Sequence, residues 1–199
     1  MSERSKRFRQ WKSLDEAVRD TQRLLFGERY VGASLSDSCA PSWAQVLISK
    51  FMDNPKNFLV YCGNPGIGKT QLSASLVEFG LTRFSSFRKW SEYDLLTRVR
   101  SSIDEFKGSD YIDTLKYLID DEFVILDDIG STGVTDWRKE VIFAAIDMRY
   151  NSMKPTLITS NLSKDEFKTL FHDRLHSRIF SKENTIIEIH DGPDLRQPT

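Results

Sequence analysis

The sequence predicts a three-layer αβα domain built on a mostly parallel, five-stranded sheet, and three stretches carry that prediction. Phe58-Leu59-Val60-Tyr61-Cys62 reads as a short buried strand that runs directly into Gly63-Asn64-Pro65-Gly66-Ile67-Gly68-Lys69-Thr70. Phe123-Val124-Ile125-Leu126 is a second apolar run, and it ends in Asp127-Asp128. Pro155 precedes a third, Thr156-Leu157-Ile158-Thr159-Ser160, which ends at Asn161. Parallel strands buried on both faces read as near-continuous apolar runs, and open α/β sheets collect their ligands at the carboxyl ends of such strands.

The first stretch is a complete G-x-x-x-x-G-K-[ST] phosphate loop. Its glycines allow backbone conformations closed to other residues, so that successive N–H groups can wrap a polyphosphate. Lys69 is expected on the β- and γ-phosphates and the Thr70 hydroxyl on Mg²⁺, with the dipole of a helix from Gln71 to Phe79, ending at Gly80, adding positive potential. A glycine-rich segment without function is the competing reading, and the flanking strand and helix argue against it. At the end of the second strand, Asp127 is expected to hold Mg²⁺ through water and Asp128 to orient or deprotonate an attacking water. The Asn161 amide can hydrogen-bond both a γ-phosphate oxygen and that water.

The remaining elements follow from spacing. Residues 1–12 carry Arg4, Lys6, Arg7, Arg9 and Lys12 against Glu3, a basic lead-in that is first a solvated tail and second a contact for nucleic acid or an acidic partner. Ser13-Leu14-Asp15-Glu16 fits a capping box, and Trp11, Leu14, Val18 and Leu25 outline an amphipathic helix ending near Gly27, expected to pack on its own domain. After the connector Arg29–Leu35, Pro41 starts a helix with Trp43, Val46, Leu47, Phe51 and Met52 inward, stopped by Asn54-Pro55. Ser86–Lys89 is a further strand, followed by helices at Ser91–Ile103 (Tyr93, Leu95, Leu96 and Val99 inward, Arg98 and Arg100 on a solvated face) and around Tyr111, Leu115 and Leu118. Asp136–Met153 is amphipathic, with Val141, Ile142, Ala145 and Met148 inward. Ser163–Phe180 carries Arg174 and Arg178 one turn apart, and Thr185–Ile189 is the last strand. His172 and His176 have helical metal-pair spacing, but no H-E-x-x-H pattern or third ligand accompanies them, so no zinc site is assigned.

Composition bounds the function. The 199 residues are 39% hydrophobic and 29% charged with a net charge of −1, which suits a single globular core and argues against a surface coated in basic charge for nucleic acid. Cys39 and Cys62 read as reduced core residues. No apolar run is long enough to span a bilayer and no signal core follows the charged N-terminus, so a cytoplasmic location is expected, with no membrane partner.

Taken together, the phosphate loop, the strand ending in Asp-Asp, the strand ending in Ser-Asn and Arg174-Leu175-His176-Ser177-Arg178 resemble the AAA+ ATPases. More narrowly, the chain is similar to the replicative-helicase loaders of the DnaC and DnaI family, related to IstB. The closer match rests on Arg29-Tyr30-Val31-Gly32-Ala33-Ser34-Leu35, Leu126-Asp127-Asp128-Ile129-Gly130, Met148-Arg149-Tyr150, Lys154–Leu162, Arg174–Arg178 and Gly192-Pro193-Asp194-Leu195-Arg196. The resemblance implies an ATPase domain over 29–199 behind a short N-terminal extension at 1–28, with ATP or ADP and Mg²⁺ as cofactors. It implies that Asn161 is the sensor 1 residue and that Arg178 is an arginine finger reaching the γ-phosphate of a neighbouring subunit. Arg174 is a second candidate at that interface, and Arg196 a late arginine that senses nucleotide. A finger acting in trans raises the rate by about 10³ to 10⁵, so self-association through the ATP site and hydrolysis would be coupled.

The implied function is an ATP-hydrolysing loader that binds a hexameric replicative DNA helicase and assists its loading on single-stranded DNA. Asp128 stands where AAA+ proteins commonly have glutamate, one methylene longer, which implies slow hydrolysis. Too little chain follows Arg178 for a full helical lid, and little precedes Arg29 for a helicase-binding domain, leaving the Trp11–Leu25 helix as the candidate contact. A phage or mobile-element loader fits this plan. The alternatives are an IstB-like transposition helper ATPase and a nucleotide-switched inhibitor that occupies a helicase with little turnover.

Overall fold

The computed structural model describes residues 13–38, 40–105, 111–131, 135–189 and 194, with backbone only at 103–105 and 172. Five strands alternate with helices. Strands β1 (Phe58–Gly63), β2 (Phe87–Ser91), β3 (Phe123–Ile129), β4 (Thr156–Ser160) and β5 (Thr185–Ile189) lie in the order β2-β3-β4-β1-β5, and every pairing is parallel. Helix α1 (Leu14–Phe26), a 3₁₀ turn at Glu28–Tyr30, and α2 (Ser42–Asp53) precede β1. Helices α3 (Lys69–Ser75) and α4 (Val77–Arg83) join β1 to β2; α5 (Glu92–Glu105) and α6 (Tyr111–Ile119) join β2 to β3. Helices α7 (Asp136–Asn151) and α8 (Lys164–Ile179) flank β4. The expected fold class and all five expected strands are present.

Strand alternation builds the three layers, because successive side chains leave a strand on opposite faces. Leu59, Tyr61, Phe123, Ile125, Leu157 and Ile187 point to one face, where Ala44, Ile48 and Phe51 of α2, Leu72 of α3 and Val77 and Phe79 of α4 cover them. Phe58, Val60, Cys62, Val124, Leu126 and Ile158 point to the other, against Leu95 and Val99 of α5, Leu115 of α6, Ile142 and Ala145 of α7, and Phe167 and Leu175 of α8. Each of the larger side chains stabilises the fold by roughly 1.5–3 kcal/mol on burial.

Helix faces differ from the simple spacing in three places. On α2 the buried row is Ala44, Ile48 and Phe51, spaced i, i+4, i+7, while Trp43 and Val46 are 50% and 53% exposed. The small Ala44 lets the helix approach the sheet closely, and that contact sets the phase against the bulk of Trp43. Tyr93 on α5 and Leu14 on α1 are likewise exposed. Beyond these faces, Gly80 does not end the phosphate-loop helix. The helix breaks at Leu76, resumes at Val77 and runs through Gly80 to Arg83. Gly80 serves instead as a contact point, since a Cβ there would sit 2.9 Å from the Phe87 ring.

Polar groups cap the helix ends and pin the layers. Ser13 caps α1 by accepting from the Glu16 N–H, and Gly27 (φ 88°) ends it. Arg149 of α7 is 1% exposed. Its guanidinium donates to the carbonyls of Ile119, Asp121 and Pro155 at 2.6, 2.6 and 2.7 Å, to that of Glu122 at 3.3 Å, and to the Thr156 hydroxyl at 2.7 Å. One planar five-donor fork therefore ties the end of α6 and the starts of β3 and β4 together. Burial lowers its pKa to about 10, partly offset by Asp121 and Asp120, so it stays cationic at neutral pH. Truncation would leave several buried carbonyls unsatisfied. Arg149→Ala is expected to lose about 3–5 kcal/mol of stability in urea unfolding, and Arg149→Lys to recover only part of it; a loss under 1 kcal/mol for the alanine variant would contradict this role.

Candidate functional site

The carboxyl ends of the strands meet at one edge. Register pairs Cys62 with Ser160, Gly63 with Ile189, Ser91 with Asp127 and Ile129 with Ser160. The phosphate loop leaves β1 there. Gly68 (φ 92°) takes the left-handed conformation at the start of α3, and Gly66 (φ 88°) lies so close to Asp194 that a Cβ would fall 1.9 Å from the carboxylate oxygen. A side chain at either position would be strained. Lys69 is buried, and its Nζ donates to the carbonyls of Gly63 and Asn64, each at 2.7 Å.

The two aspartates share a cleft although neighbours in a strand ordinarily face opposite ways. A bulge in the β3–β4 pairing between Leu126 and Ile129 holds Asp128 at φ 60°, and both carboxylates thereby line one cavity. Thr159 of β4 secures the arrangement. Its hydroxyl donates to Asp127 Oδ1 at 2.6 Å and accepts from the Asp128 N–H at 2.9 Å. Asn161 Nδ2 donates to Asp128 Oδ1 at 2.7 Å. On the β2 side, Lys89 Nζ stands 3.4 Å from Asp127 Oδ2 and 4.9 Å from the Phe26 ring centroid. The buried Glu92 accepts from the Gly130 N–H and from Arg138 at 3.0 Å, fixing the turn after the aspartates.

These groups surround a cleft of about 500 Å³, a size that suits a nucleotide. Pro65, Gly66, Gly68, Lys69, Thr70, Asp127, Asp128 and Asn161 all line it. Gly63, Asn64 and Ile67 belong to the same loop, Gly63 and Ile67 beneath the surface. An ammonium, a hydroxyl, two carboxylates and an amide converging on one cavity is a donor set that fits a Mg²⁺-bound polyphosphate. Arg29, Tyr30, Gln71, Ser91 and Thr159 also line it, and sequence reasoning gave them no site role. Thr159 sits two positions before Asn161, and Arg29-Tyr30 stands in a stretch that carried the family resemblance. Those were the available signals.

Arg174 and Arg178 are not part of this cleft. Arg174 is exposed, whereas Arg178 pairs with Asp147 of α7, donates to the Arg174 carbonyl at 3.1 Å and lies 5.1 Å from the Phe143 ring centroid. Arg196 and Cys39 lie outside the described residues. Burial, reinforced by Glu188, pushes the Cys62 thiol up to about 12, so it packs as an apolar residue under the loop. His176 has an unpartnered Nε2 and stacks 5.0 Å from Phe180, and burial lowers its pKa with help from Lys164 and Lys168. Among the described residues no His, Cys, Asp and Glu side chains cluster as a metal cage, and no helix is long and apolar enough to cross a membrane.

A family model described as IstB-like ATP binding protein matches residues 39–180. The replicative helicase loader DnaC of Escherichia coli strain K12 is 25% identical over 140 residues, which cover 70% of this chain and 56% of that protein. The chain thus spans about half the length of the loader it matches. The crystal structure of the DnaC helicase loader superposes with a TM-score of 0.68 at 27% identity, covering 81% of this chain and 99% of that one. That of DnaI gives 0.63 at 21% identity, covering 80% and 92%.

Thr159 holds both aspartates from outside the expected ligand set. Replacing a group that orients metal ligands typically costs about 10–100-fold in affinity. Thr159→Val, which keeps the shape and loses both hydrogen bonds, is expected to weaken Mg²⁺-dependent binding of a fluorescent ATP analogue by that factor. Unchanged affinity would remove Thr159 from the site.

Proposed function

The chain belongs to the IstB-like ATP-binding proteins, as a DnaC/DnaI-like AAA+ member, and on that premise we propose that it binds a replicative DNA helicase and assists its loading on single-stranded DNA. The supporting observation is the convergence of the phosphate loop, Asp127-Asp128 and Asn161 on one cleft, while Arg174 and Arg178 stand outside it. A guanidinium that serves a neighbouring subunit's nucleotide has to lie away from its own.

In this reading Lys69 neutralises the β- and γ-phosphates, and Thr70 and Asp127 hold Mg²⁺. The cation supplies charge neutralisation along the polyphosphate when bound. Asp128 orients the attacking water and accepts its proton, and Asn161, already hydrogen-bonded to Asp128, positions that carboxylate and reads the γ-phosphate. Asp128 reaches less far than a glutamate, and turnover is correspondingly slow. Arg178 leaves Asp147 to stabilise the charge developing on the neighbour's phosphate, with Arg174 beside it and Arg196 sensing nucleotide. Hydrolysis is then switched on by assembly, which suits a loader that must release its helicase after delivery. A second reading takes the chain, as a member of the IstB-like ATP-binding family, for a transposition helper ATPase.

Tagged protein tested against the replicative helicase of its source cell, with ATP, ADP or no nucleotide, separates these. Nucleotide-dependent capture that is lost in Lys69→Ala is expected. Arg178→Ala should keep ATP binding but lower assembly-dependent hydrolysis by about 10³-fold or more. No helicase capture under any condition would overturn the loader reading and turn attention to transposases and DNA.

A further inference from the structure

Gln22 is a fully buried polar residue on α1, outside the phosphate-handling machinery, and its amide is saturated by partners from two other parts of the chain. Its Oε1 accepts from the Gly32 N–H at 2.7 Å, and its Nε2 donates to the Ala33 carbonyl at 2.8 Å and to the Ala74 carbonyl at 3.1 Å. Gly32 and Ala33 close the connector whose 3₁₀ turn carries Arg29 and Tyr30 into the nucleotide cleft, and Ala74 belongs to α3, the helix that the phosphate loop opens. Phe26, one turn further along α1, meets the Tyr30 ring edge-on at 6.4 Å and stands under the Lys89 ammonium beside Asp127. One face of α1 therefore braces the connector wall of the cleft against its phosphate wall.

We propose that Gln22 is a positioning residue of the nucleotide site, setting the distance between the Arg29–Tyr30 wall and the phosphate loop so that the cleft accepts a nucleoside as well as a triphosphate. The inference rests on the ATPase reading. The phosphate loop, the two aspartates and Asn161 account for the polyphosphate; the aromatic ring and guanidinium of the opposite wall offer planar surfaces that suit a base and ribose. A brace linking the two walls governs the nucleoside's share of binding and leaves the phosphates' share untouched.

The test compares MgATP with magnesium tripolyphosphate, which has the phosphates and no nucleoside, by titration calorimetry on the full chain and on Gln22→Met, which keeps the length and loses all three hydrogen bonds. ATP affinity is expected to fall about tenfold while tripolyphosphate affinity stays within twofold. Loss of both ligands by one factor would mean that Gln22 merely supports α3, and no loss of either would mean that it positions nothing; both results overturn the proposal. Should Gln22→Met fail to fold, hydrogen exchange on the unaltered protein decides: ATP is expected to protect the amides of Gly32 and Ala33 and tripolyphosphate to leave them unchanged, and equal protection by both would refute it. Unaltered protein that binds neither ligand would sink the ATPase reading itself, an outcome distinct from the others.

Discussion

Parallel pairing of β4 between β1 and β3 is the constraint on which the site depends. Parallel strands need crossover connections and end on the same edge of the sheet, so whatever residues occupy those ends become neighbours irrespective of their separation in the chain. The phosphate loop, Asp127 and Asn161 are drawn together in this way from three segments. Burial of β1 and β4 on both faces holds the register, because a one-residue slip would turn every apolar side chain to the wrong layer. The floor of the cleft is thus as rigid as the core beneath it.

Upon that floor, a few polar contacts do the fine placement. Asp128 is held in a left-handed conformation by a bulge, and Thr159 touches its backbone and the neighbouring carboxylate at once. Conformations of that kind cost about 1–3 kcal/mol and persist where the surroundings over-determine them. Glu92 and Arg138 tether the following turn, and Arg149 anchors the amino ends of β3 and β4 at the other edge of the sheet. Glu92 and Arg149 are both buried and both held by several partners, as a low-dielectric interior demands.

The arginines of α8 obey a different logic. Arg178 is half-buried and balanced by Asp147 and a ring face, while its own cleft is lined by other residues. Helix α1 lies at the opposite extreme, with a polar side chain built into the cleft's supporting wall. The arginines of α8 stand outside the cleft, whereas Gln22 and Phe26 of α1 pack behind its walls.

The sequence by itself determined the strands, the loop and the groups at the strand ends, because these are written in local pattern: apolar runs, a glycine spacing, a carboxylate pair and turn residues within a few positions of one another. Lys69, Thr70, Asp127, Asp128 and Asn161 were legible for that reason. Only the tertiary structure decided which face of α2 is buried, that Gly80 makes room for Phe87, and that Thr159, Lys89, Arg29, Tyr30 and Gln22 border or brace the cleft. Gln22 meets Ala74 across 52 positions and Asp128 meets Thr159 across 31. Such contacts leave no periodic trace, since a lone glutamine or threonine in a helix or strand looks like any other polar residue until packing brings its partner within hydrogen-bond reach.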